Sequence, residues 1–376
     1  MNELLTILDA IEANSARGRR MALATIVGVR GSTYRHEGAR LLVTEQQEMI
    51  GSISGGCLES DVMVVAEEVM RSGTPRLVTY DLTADDDAVW GLGLGCNGAI
   101  ELFVERVDDA GGEWARLRHA LTDERTLTVL TVVAGGANLG ARMLVGGDGP
   151  REGTLGNQEL DERAMRAAVA GQQEGTSRVH ALAGPRGEVR VFVEVIRPPI
   201  RLIVCGAGHD AIPLVRLAAS LGWRVVVVDS RDRFLTHDRF PGAQRFIRAA
   251  PDEAGARVPI DPRTYVVMMT HNFLHDRGLL RGFLATDARY LGMLGPKVRT
   301  QKILDELERD GALLAGRDLD RIHGPLGLDI GSDGPEEIAL AIVSEILAVD
   351  TSRPGGFLRD RSGAIHQAAN TATRRS

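Results

Sequence analysis

Apolar residues in the first half of the chain recur at two periods. In MNELLTILDAIEANSARGRR, residues 1 to 20, they return every three or four positions, which predicts an amphipathic helix. Met21 to Val29 is nearly continuous in apolar residues and predicts a strand. Ala39 to Thr44 and Met49 to Ile53 flank a polar turn and predict a hairpin. From Cys57 to Met70 the residues Leu58, Val62, Val65, Ala66 and Val69 share one helical face. Arg76 to Tyr80 and Ile100 to Glu105 are expected strands, the latter with Ile100, Leu102 and Val104 on alternate positions, and two more are expected near Leu127–Val133 and Ala141–Val145. A helix from about Leu160 and a strand near Val189–Val195 complete this half, which reads as an α+β domain with no internal repeat.

The pattern changes after Arg197-Pro198-Pro199, where two prolines mark a linker. Leu202 to Cys205 and Arg224 to Val228 are short runs, apolar except for Arg224, as expected for strands of a parallel sheet buried on both faces. Between them lies Gly206-Ala-Gly208-His-Asp-Ala211 and a helix to Ser220; Asp229 closes the second run. This is the G-x-G-x-x-A form of the dinucleotide fingerprint. Gly206 permits the tight turn, Gly208 lets a pyrophosphate approach, and Asp229 stands where a ribose hydroxyl would bind. Asp210 would oppose a diphosphate with like charge. Further strands at Tyr265–Met269 and Tyr290–Met293 end in polar or glycine-rich segments, which makes His271, Asp276, Lys297 and Arg299 site candidates by position. The expected fold is α/β overall: an α+β domain over 1–197, a Rossmann-like doubly wound parallel sheet over 198–350, and a basic, disordered tail over 351–376.

Composition narrows the function. Of 376 residues, 44% are hydrophobic and 25% charged, as in a globular protein, and the net charge of −7 argues against a nucleic-acid partner. The sequence has no apolar run long enough to span a membrane and no signal-peptide core, and its three cysteines make no disulfide framework, so a cytoplasmic setting is expected.

Candidate chemistry concentrates in SISGGCLES, residues 52 to 60. Gly55 and Gly56 would let backbone N–H groups meet a ligand directly, and Cys57 falls where a helix begins, a position that favours thiolates and attracts anions. Two readings stand for Cys57: a small core cysteine, or a thiol that handles metal or sulfur. Cys96 lies in GLGLGCNG beside Gly95, a glycine density that suits a backbone-lined site. Cys205 ends a core strand and reads as structural. Arg30, Ser32, Arg35 and Arg40 surround the turn after the first strand and either hold an anion or are solvated surface charges. His271 and His275 have the spacing of a metal pair but no evident third ligand.

Together, GVRGSTYRHEGARLLVT, GSISGGCLESDV, GLGLGCNGAIELFVE, VCGAGHDAIPLV, MTHNFLHD, YLGMLGPKVRTQKIL and IHGPLGLDIGSDGPEEIALAI resemble the XdhC/CoxI family, accessory proteins of xanthine dehydrogenase and related molybdenum hydroxylases. The resemblance covers roughly residues 3 to 350. Tyr34 and Asn97 depart from it, standing where the family usually has Pro and Gly. It implies a chaperone, non-catalytic in itself, that binds the molybdenum cofactor (molybdopterin), aids its sulfuration and delivers it to an apo-hydroxylase of xanthine dehydrogenase or CO dehydrogenase type. A cysteine desulfurase and a second copy of the chain are the further partners it suggests. On this reading Cys57 and Cys96 handle molybdenum or sulfur as metal ligands, which requires them to meet in one cleft. Arg30, Ser32, Arg35, Arg40, Gly55, Gly56, Gly95, Gly206, Gly208, Asp229, His271, Asp276 and Lys297 are the cofactor-binding candidates. The alternative is an NAD(P)-dependent oxidoreductase built on the fingerprint, with His271 as its acid–base group. It leaves the glycine–cysteine loops unexplained. A zinc site is weaker still, for want of a C-x-x-C pair or a neighbouring histidine.

Overall fold

The computed structural model describes residues 2–31, 33–81, 98–107, 112–123, 125–136, 138–147, 151–312, 314 and 316–361. The chain divides into two units, Met1–Pro198 and Pro199–Ser376. Ser32, Gly95, Cys96 and most of the expected basic tail lie outside the described residues.

Unit 1 runs α1 (Asn2–Ser15), β1 (Met21–Gly31), β2 (Arg40–Thr44), β3 (Met49–Gly51), α2 (Glu59–Ser72), β4 (Arg76–Asp81) and β5 (Gly98–Arg106). It continues through α3 (Glu113–Thr122), β6 (Leu127–Ala134), β7 (Arg142–Gly146), β8 (Arg151–Gly153), α4 (Gln158–Glu174), β9 (Arg178–Gly184) and β10 (Gly187–Ile196). The second series repeats the first. Each builds a five-stranded antiparallel sheet, ordered β3-β2-β1-β5-β4 and β8-β7-β6-β10-β9. The expectation of no internal repeat is therefore overturned.

The repeat holds residue by residue. Arg40 lies opposite Thr25 on β1, and Arg142 lies opposite Thr131 on β6. Gly51 and Gly153 both have positive φ, and a Cβ on either would lie within 2.5 Å of the carbonyl oxygen of Arg40 or Arg142. Helices α2 and α4 both end on a left-handed glycine, Gly73 and Gly175.

Side-chain alternation sorts the core into layers. Ala22, Ala24 and Ile26 of β1 pack with Val62, Ala66 and Val69 of α2 on one face of the first sheet. Val191 and Val193 of β10 pack with Ala164 and Ala168 of α4 on one face of the second. The remaining faces meet, with Val27 and Phe103 against Val133 and Phe192. Each fully buried side chain of this size contributes about 1.5–3 kcal/mol.

Charges also cross between the sheets. Arg40 reaches Glu194 of the second repeat at 2.5 Å, and Arg142 reaches Glu105 of the first. These are equivalent residues exchanged: Glu105 lies opposite Leu23 and Glu194 opposite Val129, the matching positions of β1 and β6. Arg190 forms a third crossing pair with Glu101.

Unit 2 runs β11 (Arg201–Cys205), α5 (Ala211–Ser220), β12 (Arg224–Asp229), β13 (Ala243–Arg248), α6 (Ala254–Arg257), β14 (Thr264–Met268) and α7 (Phe273–Leu284). It ends with β15 (Tyr290–Met293), α8 (Lys297–Arg309), α9 (Gly316–Asp320), β16 (Ile322–His323) and α10 (Pro335–Asp350). The parallel sheet is ordered β13-β12-β11-β14-β15-β16, a Rossmann arrangement with apolar layers on both faces. Its strand order reverses between β11 and β14, which opens a crevice at their carboxyl ends.

Candidate functional site

Cys57 sits on a loop, residues 52–58, that is longer than its counterpart in the second repeat, residues 154–157. The sequence pattern starts a helix at Cys57, yet α2 begins at Glu59. In the second repeat Gln158 and Glu159, the counterparts of Gly56 and Cys57, already form the first turn of α4. There the Asn157 side chain caps the helix by accepting from the Leu160 N–H. In the first repeat that turn is opened, with Gly56 at φ +107°. The N–H groups of Gly56, Cys57 and Leu58 converge on Ser54 Oγ at 3.1, 3.1 and 3.2 Å. Ser54 Oγ in turn hydrogen-bonds the Glu59 carboxylate, which also accepts from the Ser54 and Leu58 N–H groups. Burial raises the Glu59 pKa, but these hydrogen bonds outweigh it and hold the carboxyl below its usual range.

The loop is open on its outer side. A Cβ on Gly55 or Gly56 would meet nothing within 4 Å. Cys57 is half-buried and rests against the core that contains Ile53 and Leu58. The arrangement leaves the approach to the thiol clear of side chains at Gly55 and Gly56, while the N–H groups of Gly56, Cys57 and Leu58 are taken up by Ser54 Oγ.

The three described candidates around the first turn separate. Arg35 pairs with Glu3 of α1, whose other oxygen accepts from the Ser52 N–H at 2.9 Å, so Arg35 is tied to the loop. Arg30 is exposed on β1 opposite Ala99, the second residue of β5. Arg40 is buried between the sheets and paired with Glu194, so it is not the solvated surface charge that one of the two sequence readings allowed.

The unit 2 crevice encloses about 170 Å³ and is lined by Gly206, Asp229, Arg231, Thr270 and His275 among others. A side chain at Gly206 would strike the Met269 carbonyl oxygen at 2.7 Å. Asp229 is 8% exposed and accepts from the Ala207 N–H at 2.7 Å, the Arg231 N–H at 2.8 Å, and Arg231 Nε and Nη2 at 2.9 Å. Burial raises its pKa, but these donors prevail and keep it low. Asp276 is fully buried, so it braces the crevice instead of facing it. Thr270 Oγ1 donates to it at 2.6 Å. Its Oδ2 lies 2.7 Å from Arg299 Nη2, a charge contact off the line of a hydrogen bond. Lys297 is exposed at the start of α8. Cys205 is buried at 1% exposure, and burial pushes its thiol well above the ordinary range, as suits a core residue. Among the described residues no group of three or more His, Cys, Asp or Glu could hold a metal ion, so His271 and His275 lack a third ligand.

Two family models match the chain: one described as the XdhC and CoxI family over residues 15–81, and one described as the XdhC Rossmann domain over residues 202–346. The chain is 32% identical over 348 residues to a protein of Bacillus subtilis (strain 168) described as a probable xanthine dehydrogenase subunit, covering 92% of this chain and 97% of that one. The chain belongs to the XdhC and CoxI family. It is also 24% identical to the molybdenum cofactor insertion chaperone PaoD of Escherichia coli (strain K12), over 90% of this chain and 86% of that protein. A crystal structure described as a xanthine dehydrogenase from Bacillus halodurans superposes with a TM-score of 0.76 at 30% identity, covering 92% of this chain and 96% of that one.

The region matched to the XdhC and CoxI family contains the whole Cys57 loop and ends with β4. Sequence reasoning missed Ser54 and Glu59, which shape that loop, because a serine five residues before a glutamate matches no standard cap spacing. It also missed Glu3, which fastens the loop from α1. Among the described residues no helix is long and apolar enough to cross a membrane.

Proposed function

We propose that this protein is an accessory protein of a molybdenum hydroxylase. It binds the molybdenum cofactor as cargo at the glycine–cysteine loop of unit 1 and passes it to the apoenzyme. The observation that carries the reading is the difference between the two repeats. On equivalent scaffolds, the second has an ordinary capped helix where the first has an opened turn bearing Ser54, Gly55, Gly56 and Cys57. The names of two relatives, a molybdenum cofactor insertion chaperone and a probable xanthine dehydrogenase subunit, support the same direction.

The residues fit such a cargo. The cofactor is a pterin with a phosphate and a dithiolene-bound molybdenum. The open face over Gly55 and Gly56 gives it room, and the N–H groups now held by Ser54 Oγ are donors for an anionic oxygen. The Cys57 thiol is a soft ligand for molybdenum or a carrier of the terminal sulfur, with a cysteine desulfurase as its source. Cys96 and Gly95 belong to the same proposal from the sequence pattern. The client is of the xanthine dehydrogenase or CO dehydrogenase type. A nicotinamide-dependent oxidoreductase is the weaker reading, because His271 is engaged with Asp210 beside the glycine loop.

The test is retention of cargo. Protein mixed with free molybdenum cofactor under anaerobic conditions is passed over gel filtration, and pterin is measured by fluorescence after oxidation. About one cofactor per chain or less is expected to co-elute, with less on Cys57→Ala. Elution of all pterin free of protein overturns the proposal.

A further inference from the structure

The second glycine of a dinucleotide fingerprint leaves space for a pyrophosphate. In unit 2 that space is already filled. A Cβ placed on Gly208 would lie 2.5 Å from Asp210 Oδ1, so the carboxylate of Asp210 lies against the glycine loop. Its other oxygen is 2.7 Å from His271 Nε2, and the Asp210 side chain is 21% exposed. His271 holds φ +57° on the turn after β14, a conformation that costs a non-glycine residue energy and is usually kept for a purpose. Asp210 is the N-cap of α5, yet its side chain caps no helical N–H. The anion expected at this helix terminus comes from the chain itself.

The ribose end of the crevice remains intact. Asp229 closes β12 at the position of a ribose acceptor, inside the same cavity as Ser230 and Arg231. Its donors from Arg231 come from a side chain that is 51% exposed and lies over the Phe234 ring at 4.3 Å. Two ribose hydroxyls can replace that guanidinium on Asp229 and leave it to stack on a base.

We propose that the unit 2 crevice binds a ribonucleoside whose 5′ carbon carries no diphosphate, and that Asp210, fixed by His271, is the residue that excludes dinucleotides. The inference is independent of cofactor binding in unit 1. A diphosphate would have to share the Gly208 surface with a carboxylate, and like charges a few ångströms apart in a partly buried site weaken binding on the order of 100-fold.

Calorimetric titration of the full chain with adenosine, guanosine, cytidine, uridine, NAD and NADP tests this. At least one nucleoside is expected to bind, to bind at least about tenfold more tightly than NAD or NADP, and to lose its affinity in Asp229→Asn. Asp210→Ser keeps a favourable N-cap residue and removes the charge. It should raise NAD or NADP affinity about 100-fold and leave nucleoside affinity within about twofold. Asp210→Asn, with the same melting temperature as the parent protein as its folding control, should behave likewise. Absence of nucleoside binding, tighter binding of NAD or NADP by the parent chain, or no gain in either Asp210 variant each overturns the proposal.

Discussion

Replacing Glu194 by Gln removes one charge from the layer between the two sheets while nearly preserving shape. Arg40 and Glu194 are 8% and 7% exposed, so the arginine left behind is a buried cation that still donates to the Gly38 carbonyl at 2.9 Å. Breaking a buried pair from one side costs about 3–5 kcal/mol. The exchanged pair, Arg142 with Glu105 of the first repeat, supplies a matched control. Glu105→Gln removes the equivalent charge, but Arg142 keeps Glu113 at 2.7 Å. Burial already pushes the Glu105 carboxyl up, against the pull of Arg142, and the nearby Glu113 charge adds to the push. The expected loss is therefore smaller, about 1–2 kcal/mol. Urea unfolding at neutral pH, followed by circular dichroism and tryptophan fluorescence, measures both. With two units the curve can show two transitions, and the one belonging to unit 1 is the one both variants move. Combining Arg40→Met with Glu194→Leu should restore most of the lost stability, since an apolar replacement of a buried pair is often neutral. Equal losses, a reversed order, or losses below about 1 kcal/mol as for exposed pairs would refute the account of the inter-sheet layer.

Cys57→Ala should unfold like the parent protein yet fail to activate an apo-hydroxylase in a reconstitution assay; normal activation would remove the thiol from the proposal. Cys205→Ala should leave activation intact and cost about 1–3 kcal/mol in the unit 2 transition, because it opens a cavity in the core. Burial raises the carboxyl pKa values of Glu59, Asp229 and Glu345, but hydrogen bonds lower each of them further, to a net value below the ordinary one. The stability they confer is complete above the ordinary carboxylate range and is lost as pH falls through their own lowered values. Melting temperatures taken from pH 7 downward should fall across that acidic window, and a flat profile would contradict the hydrogen-bond networks.

The Rossmann half was legible because parallel strands buried on both faces spell themselves out: RLIVC, RVVVVD and TYVVM are each almost wholly apolar. The strand AQRFIR escaped because it lies at the edge of the sheet and buries only part of one face. In the first half the strands were readable but their division into two facing sheets was not, since alternation shows which residues are inside without showing what covers them. The duplication did leave a signal: GARLLV at 38–43 returns as GARMLV at 140–145, and SGTPR at 72–76 as EGTSR at 174–178. It was hidden by weak similarity between, where the helices keep only their buried positions. Cys57 was visible as chemistry. The opened helical turn beneath it was not, because it depends on Ser54 and Glu59 folding back on the chain.

Duplication also says which parts of unit 1 are scaffold. Ser52 and Thr154, Ile53 and Leu155, Leu58 and Leu160, and Glu59 and Asp161 occupy matching places, and each acid accepts a hydrogen bond from the loop before it. What two copies share serves folding, since both copies must fold. What differs is free to serve something else. Two differences stand out. The β9–β10 connection is the turn Pro185-Arg186, whereas the β4–β5 connection runs from 82 to 97 and contains the glycine-rich Cys96 segment. The capped start of α4 is replaced in the first copy by Ser54-Gly55-Gly56-Cys57. Both departures fall in the same copy, and they carry two of the three cysteines of the chain. A neutral scatter of changes would not concentrate glycine and thiol in one repeat while leaving the other an ordinary sheet and helix. The first repeat is thus the copy whose sequence departs from the shared scaffold, which is the argument for assigning the proposed cargo site to it.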